Sequence, residues 1–126
     1  MLLGIDLGGT KIEGIVLQSK ENPEEVIRHR INTEEEKGYS HVIANIKSLV
    51  DYIEEKINHK FNKLGIGTPG TIDPETGLLK NSNSQCLNGM PIKKDLANIL
   101  NKTILIQNDA NCFALAETLL GSVKEQ

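Results

Sequence analysis

The segment Gly4-Ile5-Asp6-Leu7-Gly8-Gly9-Thr10-Lys11 combines residue types suited to holding a phosphate. A carboxylate at a strand end can hold a hydrated Mg²⁺, because hard cations take oxygen ligands and Mg²⁺ keeps much of its water. Paired glycines let backbone N–H groups approach phosphate oxygens with no Cβ in the way. Thr10 adds a hydroxyl donor and Lys11 a positive charge. The spacing is not that of a Walker A loop, and a second strand, not a helix, is expected after the glycines. Gly-Gly is equally a common hairpin turn, so the motif alone leaves both readings open.

Asn108-Asp109-Ala110-Asn111 follows a β-branched run from Thr103 to Ile106. A carboxylate at such a strand end can accept a hydroxyl proton as that oxygen attacks a phosphoryl group. The neighbouring amide can donate to one sugar hydroxyl and accept from another. The alternative is a plain helix N-cap, a position that Asp and Asn both favour. Asn81-Ser82-Asn83-Ser84-Gln85 with Leu87-Asn88-Gly89 gathers neutral amides and hydroxyls, the groups a polyol needs, although an ordinary polar loop has the same composition. Thr68-Pro69-Gly70 is a rigid strand-end turn able to present backbone groups to a ligand. His29, His41 and His59 form no metal motif and are expected to face solvent. Cys86 and Cys112 lack metal-ligand spacing and read as small apolar fillers. The Glu34–Glu36 run reads as a solvated loop.

These groups need elements to position them. Leu2–Leu7 and Ile12–Leu17 predict two strands joined by the glycine turn, and Val26–Ile31 alternates as a third antiparallel strand. Val42, Ile43, Ile46, Leu49, Val50, Ile53 and Ile57 recur at helical spacing, with Lys47, Asp51, Glu54, Glu55 and Lys56 expected on the wet side. A buried strand is expected over 64–68, a turn at Asp73–Gly77, a short helix around Ile92–Leu100 and a strand over 103–106. A last helix is expected to run from Ala110 until Gly121 stops it. The order β-β-β-α-β-α-β-α implies an α/β fold with a mixed five-stranded sheet and helices on its faces.

Composition narrows the function classes. The 126 residues suffice for one compact domain, with 38% hydrophobic and 25% charged residues. Aromatics are 3% with no Trp, so no nucleic-acid stacking surface is expected. A net charge of -3 and a pI near 5.6 argue against a general polyanion binder. Two widely separated cysteines and an opening Met1–Gly4 without a basic signal-peptide region fit a cytoplasmic location. No run reaches the ~18 apolar residues of a membrane span.

The order of the four motifs resembles the ROK family: Gly4–Lys11, then Gly65-Ile66-Gly67-Thr68-Pro69-Gly70, then Asn81-Ser82-Asn83, then Asn108–Asn111. That family comprises bacterial sugar kinases and related repressors of the actin-like, ribonuclease-H-like ATPase superfamily. Lys80–Ser84, Leu87-Asn88-Gly89 and Asn108–Cys112 resemble its fructokinase and mannokinase branch most. The likeness runs from Gly4 to about Glu117 and implies a ribonuclease-H-like N-terminal lobe over residues 1–126, with the C-terminal lobe absent. It implies ATP-dependent phosphorylation of a hexose, fructose or mannose, at C6 by the full-length parent, with this piece inactive alone. Gly4, Asp6, Gly8, Gly9, Thr10 and Lys11 would belong to the ATP and Mg²⁺ loop. Gly70, Asn83 and Asn108 would hold sugar hydroxyls, and Asp109 would be the general base. Many relatives carry Trp where Cys86 stands, and the family's zinc motif belongs to the C-terminal half.

The same resemblance leaves a glucose or N-acetylglucosamine kinase open, as well as a non-catalytic sugar-sensing repressor. Such repressors carry a helix-turn-helix before the first strand, which Met1 here precedes by one residue. Partners are expected to be a hexose and ATP, with no nucleic acid and no membrane. Apolar surface that a second lobe would cover predicts association with that lobe or a homodimer.

Overall fold

The structure is a computed structural model, which describes residues 1–19, 21, 22, 24–82 and 84–107. Three strands open it: β1 (Leu2–Leu7), β2 (Lys11–Leu17) and β3 (Glu25–Asn32). A one-turn 3-10 helix at Glu35–Lys37 leads into α1 (Tyr39–Ile57). Then come β4 (Lys63–Gly67), the short strands β5 (Thr71–Ile72) and β6 (Leu79–Lys80), a second 3-10 turn at Gln85–Leu87, α2 (Ile92–Leu100) and β7 (Thr103–Gln107). The main sheet is five-stranded and mixed, in the order β3-β2-β1-β4-β7. The first three strands are antiparallel neighbours, whereas β1, β4 and β7 run parallel.

Period-two alternation sets one core face. Leu3, Ile5 and Leu7 of β1 share it with Ile12 and Val16 of β2, Leu64 and Ile66 of β4 and Ile104 of β7, all buried. The apolar stripe of α1 and Ile92, Leu96 and Leu100 of α2 cover that same face, forming one continuous core. Each such side chain contributes about 1.5–3 kcal/mol on burial. Both described helices thus lie on one face of the sheet. The opposite face carries Leu2, Ile15 and Leu17, which pack together, and Glu13, held by Arg28 at 2.6 Å and Arg30 at 2.9 Å. The expected helix after Ala110 lies outside the described residues.

Four expectations change. Between Gly70 and Leu79 the chain is not only a turn: β5 and β6 pair as a small hairpin around Asp73–Gly77. Two-residue arms are too short to show a periodicity. Glu54 is buried, not on the wet side of α1, because Lys102 and the Phe61 backbone reach it. His29 and His41 are half-buried: His29 stacks on Tyr52 at 4.2 Å between ring centroids, and His41 Nε2 meets Glu34 Oε1 at 2.9 Å. The acidic run is not simply a solvated loop, since it forms the first 3-10 turn and Glu35 Oε2 is buried. Among the described residues no helix is long and apolar enough to cross a membrane.

Candidate functional site

The parallel strands end level with one another. Asp6 of β1 lies beside Gly67 of β4, and Gly67 beside Gln107 of β7. The glycine turn after β1, the Thr68–Gly70 turn after β4 and the chain leading from β7 into Asn108 therefore leave the same edge of the sheet. Ligands of open α/β sheets bind at that carboxyl edge. Asn83, Asn108 and Asp109 themselves lie outside the described residues.

The glycine turn closes the β1–β2 hairpin through a hydrogen bond from Gly8 N–H to the Lys11 carbonyl at 2.9 Å. A Cβ on Gly8 would sit 2.8 Å from that same oxygen, so the turn itself demands glycine there. Among the described residues a Cβ at Gly9 would meet Ser84 Oγ at 3.6 Å and Glu35 Oε2 at 3.7 Å, both ordinary contacts. Packing among the described residues therefore does not require the second glycine. Gly4 stands in the interior of β1, buried between Ile15 and Gly65, so it belongs to the sheet and not to the turn. Lys11 is exposed, and its ammonium donates to Asn32 Oδ1 across the β2–β3 pair.

A second loop is stapled to the turn from outside. Thr33 N–H donates to the Thr10 carbonyl at 2.9 Å, and Thr33 Oγ1 donates to the Gly8 carbonyl at 2.8 Å. Glu34 adopts a left-handed backbone at φ 57°. His41 and Lys37 clamp its carboxylate at 2.9 and 3.2 Å, and their hydrogen bonds, His41 first, pull its pKa down to about 2. A cavity of about 340 Å³ lies between the two loops, lined by Gly9, Thr10, Lys11, Asn32 and Glu34–Glu36. In the sequence, Thr33 is marked only as a polar residue at a strand end.

Close packing and amide pairing fix the polyol-type loop. A Cβ on Gly70 would fall well inside contact distance of the Lys80 carbonyl oxygen and 3.1 Å from Ser82 N, so glycine lets the two turns press together. Asn88 holds Ser82 from both sides, accepting from Ser82 N–H at 2.9 Å and donating to its carbonyl at 3.0 Å. Ser82 Oγ in turn accepts from Ser84 N–H at 3.0 Å. The structure thus brings this loop to the glycine turn, with Ser84 as the point of approach. Cys86 is half-buried beside them; burial first, and then the charge of Glu35, push its thiol pKa up, which disfavours the thiolate.

On the opposite face Glu13 faces Asp6 across the β1–β2 pair. Burial pushes the Glu13 carboxyl upward, but the hydrogen bonds and charges of Arg30 and Arg28 outweigh it and hold the pKa below its ordinary value. Among the described residues no group of three or more His, Cys, Asp or Glu could hold a metal ion. A half-buried carboxylate at a strand end, such as Asp6, suits a cation that keeps its water and takes its remaining ligands from phosphate.

A model of the ROK family matches residues 2–126. An N-acetyl-D-glucosamine kinase of Aliivibrio fischeri is 40% identical over 117 residues, covering 93% of this chain and 37% of the relative. The N-acetylgalactosamine kinase AgaK of a Shewanella species is 33% identical over 121 residues, covering 96% of this chain and 38% of its own length. The crystal structure of a ROK hexokinase from Thermus thermophilus superposes with a TM-score of 0.72 at 27% identity, over 87% of this chain and 35% of that one. The chain therefore spans about 37–40% of the length of such curated relatives. On the family match, the mixed sheet and the glycine turn at its carboxyl edge, this chain belongs to the ROK family.

Proposed function

We propose that these residues form the amino-terminal lobe of a kinase that moves the γ-phosphoryl group of ATP to the C6 hydroxyl of an N-acetylated hexosamine. The observation that supports this reading is the shared edge: Asp6, Gly67 and Gln107 stand level, so the glycine turn and the end of β7, which Asp109 follows by two residues in sequence, lie at one edge of the sheet. Gly9 fits a backbone N–H presented to phosphate, because no contact among the described residues requires glycine there. Asp109 takes the C6 hydroxyl proton as that oxygen bonds to the γ-phosphorus and the bond to ADP breaks. Asn83 and Asn108 pair with sugar hydroxyls, and the Gly70 turn supports their loop. Asp6 would hold Mg²⁺ through its water shell, and the cation, when bound, would neutralise phosphate charge.

The relatives named for N-acetylglucosamine and N-acetylgalactosamine favour a 2-acetamido sugar over the fructose or mannose expected from the motifs. An ADP-release assay on the intact protein carrying these residues tests the choice. With N-acetylglucosamine, N-acetylgalactosamine, glucose, fructose and mannose compared, kcat/KM is expected to be highest for a 2-acetamido sugar. A higher value for fructose or mannose overturns that assignment. The 126-residue chain by itself is expected to give no turnover, since a second lobe is needed to exclude water from the transferred group.

A further inference from the structure

Glu35 Oε2 is buried and has no hydrogen-bond partner among the described residues. A buried acceptor left open is costly, so such an atom calls for a donor that arrives in another state of the protein. The nearby cations are committed elsewhere. Lys37 pairs with Glu34 at 3.2 Å, and Lys11 with Asn32. The loop carrying Glu35 is held in place by Thr33 on the Gly8 and Thr10 carbonyls and by His41 on Glu34. The hydroxyl of Ser84 reaches the same space over Gly9: a Cβ placed there would lie 3.6 Å from Ser84 Oγ and 3.7 Å from Glu35 Oε2. Ser84 belongs to the loop that the proposed function assigns to the sugar.

We propose that Glu35 is a positioning residue for the sugar loop: when a sugar settles that loop, the Ser84 hydroxyl turns and donates to Glu35 Oε2. The bond fixes the sugar loop against the phosphate turn. Glu35 does not touch the reacting atoms, and its buried oxygen is reached by a protein hydroxyl in preference to a ligand. The inference rests on the kinase reading above.

Steady-state kinetics of the intact protein separate the two claims. Glu35→Ala is expected to raise the sugar KM about tenfold, the loss of one charge-assisted hydrogen bond, with the ATP KM and kcat within about twofold. Glu35→Gln keeps an acceptor oxygen and is expected to recover most of that loss. Ser84→Ala is expected to raise the sugar KM similarly, and the double variant no further, because the two groups act through one bond. An unchanged sugar KM in Glu35→Ala overturns the inference while the kinase reading stands. Multiplying effects in the double variant overturn it too. No turnover on any sugar by the unaltered protein overturns the kinase reading, and this inference with it.

Discussion

Two glutamates with a buried carboxylate oxygen, one at each edge of the sheet, are treated in opposite ways. Glu54 lies at the amino edge, where Phe61 and Lys102 enter β4 and β7. Its Oε2 accepts from Phe61 N–H at 2.8 Å and from Lys102 Nζ at 2.7 Å, and Lys102 also donates to the Phe61 carbonyl at 2.6 Å. Both side chains of that pair are nearly sealed, at 4% and 8% exposure. Glu35, beside the glycine turn at the carboxyl edge, has its Oε2 buried with no such set of donors among the described residues. A satisfied buried ion pair ties α1, β4 and β7 together. An open acceptor next to two polar turns is a feature of a site that awaits a partner.

The comparison predicts its largest effect at the amino edge. Lys102→Met leaves the sealed carboxylate to the exposed Lys60 ammonium at 3.8 Å and is expected to lower unfolding free energy by about 3–5 kcal/mol in urea titrations. Glu35→Ala, which removes an acceptor that stabilises nothing, is expected to cost less than about 1 kcal/mol in the same titration. Equal losses would erase the distinction between the edges.

Next come the glycines of the carboxyl edge. Gly70→Ala drives a methyl into the Lys80 backbone and is expected to cost about 1–3 kcal/mol by thermal unfolding, as overpacking does. Gly9→Ala meets ordinary contacts among the described residues, so its stability is expected to change by less than about 0.5 kcal/mol. Its affinity for MgATP, measured by calorimetry on the intact protein, is expected to fall nonetheless. A Gly9→Ala protein that binds nucleotide normally would show that the second glycine serves the hairpin alone.

The smallest effect is that of pH on the Glu34 clamp. Its folded pKa of about 2 lies below the ordinary 4.5, so the clamp's contribution is complete above pH 4.5 and is lost as pH falls toward 2. The group is exposed, and salt screens it. Glu34→Gln is expected to flatten the acid limb of stability between those pH values, read by circular dichroism, with no change at pH 7 in the sign of any other effect.

How much of this was legible in the sequence depends on whether a residue's partners are local. Strands β1 to β3 and helix α1 announce themselves because their inward residues repeat every two or every 3.6 positions. Glu54 follows Val50 by four residues and so borders the apolar stripe, but its burial depends on Lys102, 48 positions away, which no helical wheel contains. Glu35 sits in a run of three acids that reads as solvent-facing until Gly9 and Ser84 fold onto it. Gly9 was legible as a phosphate-type glycine and Gly70 as a strand-end turn, whereas only packing separates what the fold requires from what a ligand would. Asn83, Asn108 and Asp109, the residues on which the sugar reading leans, rest on motif order alone.

The central claim is that the carboxyl edge performs phosphoryl transfer with Asp109 as the base. The direct measurement is kcat for Asp109→Asn in the intact protein with its best sugar and saturating MgATP. A fall of about 10²–10⁴-fold, with unfolding behaviour unchanged, is expected. A kcat within a few-fold of the unaltered protein would contradict the account.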